Sequence, residues 1–426
     1  MRGEPRIERC EALLLVQFGA GNIGRSFMGQ LFARAGYEVC FVDVVDALVA
    51  SLNERREYVV EVRDDPPGRL LVPGVRAVHG RHADAVAEEL VRADTAGTAV
   101  GPAALKHLFP TIARGLERRL AAGRGPLDII LCENLRNAAE HVREGLAREL
   151  PPGFPLDEAA GLVETSIGKM VPLMTDEDRA SDPLLVFAEA YNTLICDRRA
   201  FKCGVPQVPG LDPKDNMPAY VDRKLFVHNL GHATCAYVGF LQKPESRFIW
   251  EVAAVPELRD AARRAMWESG RALLAEYPGE FTETSMGAHI EDLLRRFGNR
   301  ALGDTIYRVG RDVPRKLAGD DRLMGALRLD AKHGVQAPAT CLAAACALRF
   351  DARDEHGEPY PPDAEAAALR EREGTAAALR ALSGLDPSDD RDAPILAECV
   401  RAEQRVREAL AAGLPLVPAF FAQKGE

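Results

Sequence analysis

Residues 12–43 read ALLLVQFGAGNIGRSFMGQLFARAGYEVCFVD, and their order decides the fold of the first half of the chain. Ala12 to Phe18 is an apolar run of the length expected for a strand buried on both faces. The loop Gly19-Ala20-Gly21-Asn22-Ile23-Gly24 follows at once. A helical stretch then runs from Ile23 to Ala35 and stops at Gly36, a suitable C′ residue. Val39-Cys40-Phe41-Val42-Asp43 repeats the buried-strand pattern with an acid at its tip. Strand, turn, helix and strand within about 30 residues make one βαβ unit, which needs a right-handed crossover in a parallel sheet.

The spacing of the loop suits a dinucleotide. Gly19 permits a tight turn, Gly21 lets backbone approach a pyrophosphate, and Gly24 lets the helix lie close to the strand. The helix N-terminus would direct unpaired N–H groups at the phosphates. Asp43 lies 19 residues past Gly24, where a carboxylate can accept the hydroxyls of an adenosine ribose and would repel a 2′-phosphate. The expected cofactor is therefore NAD rather than NADP. A glycine turn of purely structural purpose is the competing reading, and Arg25 reads either as a pyrophosphate contact or as an exposed helix arginine.

Outward from this unit, Tyr58 to Val62 and Leu70 to Val78 read as strands around the turn Asp64-Asp65-Pro66-Pro67-Gly68. Thr95 to Val100, Asp128 to Asn134 and Gly161 to Ile167 read as further strands, and Pro183 to Cys196 as one more strand or a hairpin. After Cys203 the stretch CGVPQVPGLDPKDNMP, with four prolines and two glycines, is a connector. Beyond it helical periodicity dominates, as in Ala219 to Phe240, Pro256 to Tyr277 and Ala337 to Phe350, with a polar loop from Asp351 to Asp363. The expected class is α/β: an N-terminal Rossmann-type doubly wound sheet over residues 1–203, then a mostly α-helical domain over residues 204–426.

Composition narrows the function classes. A net charge of −10 without a large basic cluster argues against nucleic-acid binding. No apolar run approaches the roughly 18 residues of a membrane span, and the first ten residues, MRGEPRIERC, lack the apolar core of a signal peptide. Nine cysteines, an odd number without CxxC pairs, fit reduced thiols in the cytoplasm. There is no HExxH and no compact zinc-ligand spacing, so no metal is expected.

A second constellation lies on the first helix past the connector: Lys224-Leu225-Phe226-Val227-His228-Asn229-Leu230-Gly231-His232. At about 100° per residue, Lys224, His228, His232 and Asn229 fall within roughly 140° of one another. Phe226, Val227 and Leu230 occupy the opposite face, and Gly231 beside the lysine would leave room for a ligand. Such a helix suits the wall of a polar cleft, and it also suits an ordinary solvated face.

The sequence resembles the polyol-specific long-chain dehydrogenases, most closely those acting on mannitol 1-phosphate. The resemblance rests on the Lys224, Asn229 and His232 spacing and on FGAGNIGR (Phe18 to Arg25), TAVGP (Thr98 to Pro102), Cys132-Glu133-Asn134, RKLF (Arg223 to Phe226), Gly231-His232-Ala233 and Arg315-Lys316-Leu317. It implies a metal-free hydride transfer between NAD and a polyol or polyol phosphate, such as mannitol 1-phosphate to fructose 6-phosphate. Phe18 to Arg25, Asp43, Val100 and Gly101 would hold the cofactor. Lys224 would be the general base, which requires its pKa to fall from about 10.4 towards 7–8. Asn229 and Asn134 would donate to the developing oxyanion, and His232 would hold the substrate. Without the resemblance, Asn134 reads equally well as a helix cap and Glu133 as either a proton relay or a cap. His228 falls outside the signature and reads as a lining or surface histidine.

A phosphorylated substrate needs fixed cations. Arg223, Lys169, Arg308, Arg311, Arg315 and Lys316 are candidates, led by Arg315 and Lys316, with Lys169 third. Each taken alone is also an ordinary surface charge. One departure stands out: where relatives carry an Asp-Arg pair, the chain has Gly168-Lys169, which keeps open an unphosphorylated polyol or a sugar acid of the altronate or mannonate type. The β-hydroxyacid dehydrogenases, with a shorter lysine–asparagine spacing, and a non-catalytic NAD-sensing module are the other classes considered.

Overall fold

Leu14–Phe18 (β1) and Glu38–Asp43 (β2) alternate between two apolar cores, which explains why both strands read as unbroken hydrophobic runs. Leu15, Val39 and Phe41 enter a core with Phe27 and Phe32 of the following helix. Leu14, Val16, Phe18, Cys40 and Val42 enter a second core on the opposite face with Leu90, Ile112 and Leu116. The computed structural model describes residues 12–422. Cys10 and the first ten residues read for targeting lie outside them.

The remaining strands are Glu57–Val62 (β3), Gly68–Pro73 (β4), Val75–His79 (β5), Thr95–Thr98 (β6), Leu127–Leu131 (β7), Ala160–Ser166 (β8), Val186–Ala188 (β9), Leu194–Asp197 (β10) and Leu211–Lys214 (β11). Eight of them form one sheet in the order β11-β10-β8-β7-β6-β1-β2-β5. Every pairing in it is parallel except β10 with β8. The expected strand Leu70 to Val78 is two strands, because Gly74 at φ +72° turns the chain between β4 and β5. β5 joins the large sheet, whereas β4 pairs with β3 in a separate sheet of order β4-β3-β9. Pro183 to Cys196 likewise divides between the two sheets.

Two compact units divide the chain after Met217, not after residue 203. The proline-rich connector is the reason: its Leu211–Lys214 pairs in parallel with β10, so the stretch extends the first unit's sheet. The second unit is helical. Its central helix runs from Met217 to Gln242, packed against Pro256–Glu276 and Pro338–Ala347. Small side chains from Ala339 to Ala347 are buried throughout, which permits close helix approach. Glu268 caps the same helix, accepting from the Ala339 and Thr340 N–H groups at 2.9 Å each. Among the described residues no helix is long and apolar enough to cross a membrane, and the eight described cysteines are free.

Candidate active site

The glycine loop is shaped by what each glycine omits. Gly19 adopts φ +86°, and its N–H donates to the Val42 carbonyl at 2.8 Å. A Cβ on Gly24 would stand 1.9 Å from the Gly19 carbonyl oxygen, so strand end and helix start touch there. A Cβ on Gly21 would meet nothing within 4 Å. Gly21 and Asn22 are exposed, Ile23 is partly so, and Phe18 and Ala20 are buried beneath them. This is an open backbone cradle in front of a helix N-terminus, the arrangement a pyrophosphate requires.

Asp43 is held at the rim of that cradle. Its Oδ2 accepts from Ala20 N–H at 2.7 Å, and Oδ1 accepts from Val44 and Val45 N–H at 2.8 and 3.1 Å. Arg25 is buried, so it is not an exposed helix arginine. Its Nε donates to the Ala20 carbonyl at 2.6 Å and Nη1 to the Pro183 carbonyl at 3.2 Å, tying the loop down from behind. Burial lowers its pKa to about 10.

The ends of β6 and β7 adjoin the same loop. A Cβ on Gly19 would lie 2.5 Å from the Ala99 oxygen and 3.1 Å from Val100 Cγ1. Gly101 follows at φ +84° with open space around its missing Cβ. Glu133 is buried and anchors this segment, accepting from Thr98 Oγ1 at 2.6 Å and from Val100 N–H at 3.1 Å. Burial raises its pKa. Asn134 is exposed just past β7 and is not the cap of the next helix. That position belongs to Asn137, and the Ala138 N–H there donates to Glu164 Oε1 at 2.9 Å.

In the second unit, Lys224–Asn229 is a π-helical turn set inside an otherwise α-helical element. Bonding from i to i+5 widens the turn, so residues five apart stack where an α-helix would splay them. Lys224 and Asn229 bracket the turn and thereby share a face. Phe226 and Val227 are buried opposite, as the periodicity requires. Lys224 is partly buried, and its pKa is lowered to about 8, first by desolvation and then by the positive charge of Arg322, while Asp321 acts in the opposite sense.

His232 lies one α-helical turn beyond His228 and stacks on Phe297, with ring centroids 4.7 Å apart and planes at 6°. Its Nε2 is 3.5 Å from Asp304 Oδ2, beyond a good hydrogen bond. Burial and then Arg308, Arg322, Arg296 and Lys316 lower its pKa to about 3, so the ring stays neutral at ordinary pH. His228 is a core residue rather than a lining or surface one, 5.8 Å from the Phe297 ring, and burial pushes its pKa well down. Gly231 leaves no room for a ligand: a Cβ there would lie 2.4 Å from Met266 Sδ of the neighbouring helix.

The three leading phosphate candidates are occupied otherwise. Lys169 is buried, and its Nζ donates to the Glu189 carbonyl at 3.2 Å, the Tyr191 carbonyl at 2.7 Å and Asn192 Oδ1 at 3.0 Å. An ammonium has three donors, so this lysine is a structural post of the first unit. Arg315 pairs with Asp312 at 2.5 Å and with Asp321 at 3.4 Å. Lys316 is buried with its Nζ on the Arg311 carbonyl, and burial lowers its pKa to about 7. Sequence reasoning passed over Arg322, Asp321, Asp304 and Phe297. No spacing rule links them to Lys224, although Asp321-Arg322 lies five residues past Lys316.

Two family models match the chain. The mannitol dehydrogenase Rossmann domain matches residues 14–210, and the mannitol dehydrogenase C-terminal domain matches residues 216–389. The mannitol-1-phosphate 5-dehydrogenase of Brevibacillus brevis is 37% identical over 360 residues, covering 84% of this chain and 89% of the relative. That of Bacillus licheniformis is 33% identical over 377 residues, covering 88% and 96%. Among solved structures, the ternary complex of Pseudomonas fluorescens mannitol 2-dehydrogenase with NAD and D-mannitol superposes with a TM-score of 0.74 at 16% identity, covering 97% of this chain and 95% of that one. A substrate-free D-sorbitol dehydrogenase superposes with a TM-score of 0.77 at 17% identity, covering 95% and 94%. At that identity the two structures establish the shared fold.

Proposed function

The chain belongs to the mannitol dehydrogenase family, and from that premise we propose that it is an NAD-dependent, metal-independent oxidoreductase interconverting mannitol 1-phosphate and fructose 6-phosphate. The observation that carries the chemistry is Lys224, an amine on a π-helical turn with its pKa brought to about 8 and Asn229 on the same face. A lysine at its ordinary pKa would hold its proton at neutral pH and could not act as a base. The substrate assignment is supported by the two bacterial relatives, whose names specify mannitol 1-phosphate.

The residues present fit the cofactor. The open side of Gly21 and the helix start behind it would hold the pyrophosphate, and Asp43 would accept from the adenosine ribose. When bound, NAD supplies the acceptor for the hydride that leaves the alcohol carbon. Lys224 Nζ takes the hydroxyl proton, and the carbonyl forms as the C–H and O–H bonds break. Asn229 and Asn134 donate to the oxygen as charge develops on it. His232, neutral and held against Phe297, offers a hydrogen bond to a neighbouring hydroxyl without competing for the proton. Free thiols support a reducing compartment, the cytoplasm.

Gly168-Lys169 favours a second reading, the same chemistry on an unphosphorylated polyol or a sugar acid. NADH absorbance with fructose 6-phosphate, fructose and keto-uronates side by side separates the two. Turnover of fructose or a keto-uronate alone would sink the phosphate reading.

A further inference from the structure

We propose that Arg322 is the residue that grips the phosphoryl group of the substrate, through the Nη1/Nη2 edge of its guanidinium. The assignment rests on the phosphorylated-polyol reading above and names the side chain that would make it specific.

Three observations carry it. First, Arg322 is placed by its own neighbour: Nε donates to Asp321 Oδ1 at 2.7 Å, and the Arg322 N–H donates to the same oxygen at 2.6 Å. That fixes one edge of the fork and aims the other. The side chain is only 11% exposed, yet among the described residues no acceptor bonds to Nη1 or Nη2. A nearly buried guanidinium with two parallel donors left over matches an anion with two oxygens to offer.

Second, the segment is docked on the catalytic turn. The Gly325 N–H donates to the Asp321 carbonyl at 2.7 Å, and a Cβ on Gly325 would lie 2.8 Å from the ring of Phe226, on the buried side of the turn that carries Lys224. Arg322 is accordingly the first charge, after burial itself, that lowers the pKa of Lys224 and of Lys316, and the second after Arg308 for His232.

Third, four of the six competing cations are committed elsewhere. Arg315 is held by two carboxylates, Lys316 by a backbone carbonyl and Lys169 by three oxygens, while Arg308 pairs with Asp304. Lysine in place of Arg322 would keep the charge but lose the fork.

The test uses the full-length enzyme with NADH, comparing wild type, Arg322→Lys and Arg322→Gln. Arg322→Lys should raise KM for fructose 6-phosphate about 10- to 100-fold, the loss expected of a paired charged hydrogen bond, with kcat within a few-fold. The pH midpoint of the lysine variant should stay in place, whereas Arg322→Gln should move it upward by removing a positive charge near Lys224. Inorganic phosphate should compete with fructose 6-phosphate in wild type and more weakly in Arg322→Lys. NADH affinity, measured by fluorescence titration, should be the same in all three. An unchanged KM in both variants, with wild type active on fructose 6-phosphate, overturns the role of Arg322 and leaves the proposed function standing. A loss of NADH affinity assigns the side chain to the cofactor's phosphates instead and overturns it too. Absence of phosphate competition in wild type has the same consequence without any variant. Wild type that reduces fructose and ignores fructose 6-phosphate overturns the substrate reading itself.

Discussion

The glycine loop of the first unit and the Lys224 turn of the second are built on opposite principles. The loop works through absent side chains: Gly21 leaves open space beside the backbone, and Gly24 lets two backbones touch. Its acid, Asp43, is held by three backbone N–H groups contributed by neighbours in the loop and just after β2. The Lys224 turn works through side chains whose protonation is set first by burial and then by residues far along the chain, Arg322 and Asp321 for the lysine and Arg308 for His232. The first site is local and geometric. The second is non-local and electrostatic.

The largest expected effect separates the two roles. Lys224→Ala should slow turnover by about 100- to 10,000-fold, the contribution of a positioned base, while NADH binding stays intact in a fluorescence titration. Loss of NADH binding in that variant would dissolve the distinction. Two glycine substitutions test the loop next. Gly24→Ala should abolish detectable NADH binding and lower the melting temperature, because its methyl would meet the Gly19 carbonyl at a separation no packing allows. Gly21→Ala should keep the melting temperature and weaken NADH by roughly tenfold, since the methyl enters only the space left for the ligand. Equal melting losses in the two variants would mean that Gly21 is structural.

A smaller effect should appear in the pH profile. With the Lys224 pKa at about 8, kcat/KM for polyol oxidation should rise about tenfold per pH unit below that value and level off above it. A profile flat from pH 6 to 9 would remove the lysine from proton transfer. The smallest effect concerns stability. Burial depresses the folded-state pKa of Lys224 below its unfolded value of 10.5, so its charged form costs stability at pH 7. That cost fades as pH rises from about 8 to 10.5, where the unfolded chain also loses the proton. Lys224→Met should therefore raise the melting temperature by a few degrees at pH 7, roughly the size of a 1 kcal/mol change, with the gain shrinking above pH 10. A gain independent of pH would show that burial of the charge is not its source.

Legibility in the sequence follows the same division. The βαβ unit was readable because an unbroken apolar run, a turn glycine and a strand-tip acid are all local signals. Where pairing is non-local, reading failed: Leu70 to Val78 and Pro183 to Cys196 each divide between two sheets, and the connector past residue 203 contains a strand whose partner alone makes it one. Periodicity placed Phe226, Val227 and Leu230 inside, yet an α-helical wheel set Lys224 and Asn229 well apart. The π-helical turn brings them together, and a one-residue widening of that kind leaves no mark in composition.

By itself, then, the sequence determined the nucleotide-binding architecture, because backbone geometry is a property of contiguous residues. Lys224, Asn229 and His232 were singled out by the family resemblance and not by helical spacing. Only the tertiary structure decided that Arg25 ties down a loop, that Lys169 is a post and that Lys224 has a pKa suited to a base. Burial sets each of those together with the nearest partner, uncharged oxygens for Arg25 and Lys169 and the charge of Arg322 for Lys224, and neither is a property of spacing along the chain.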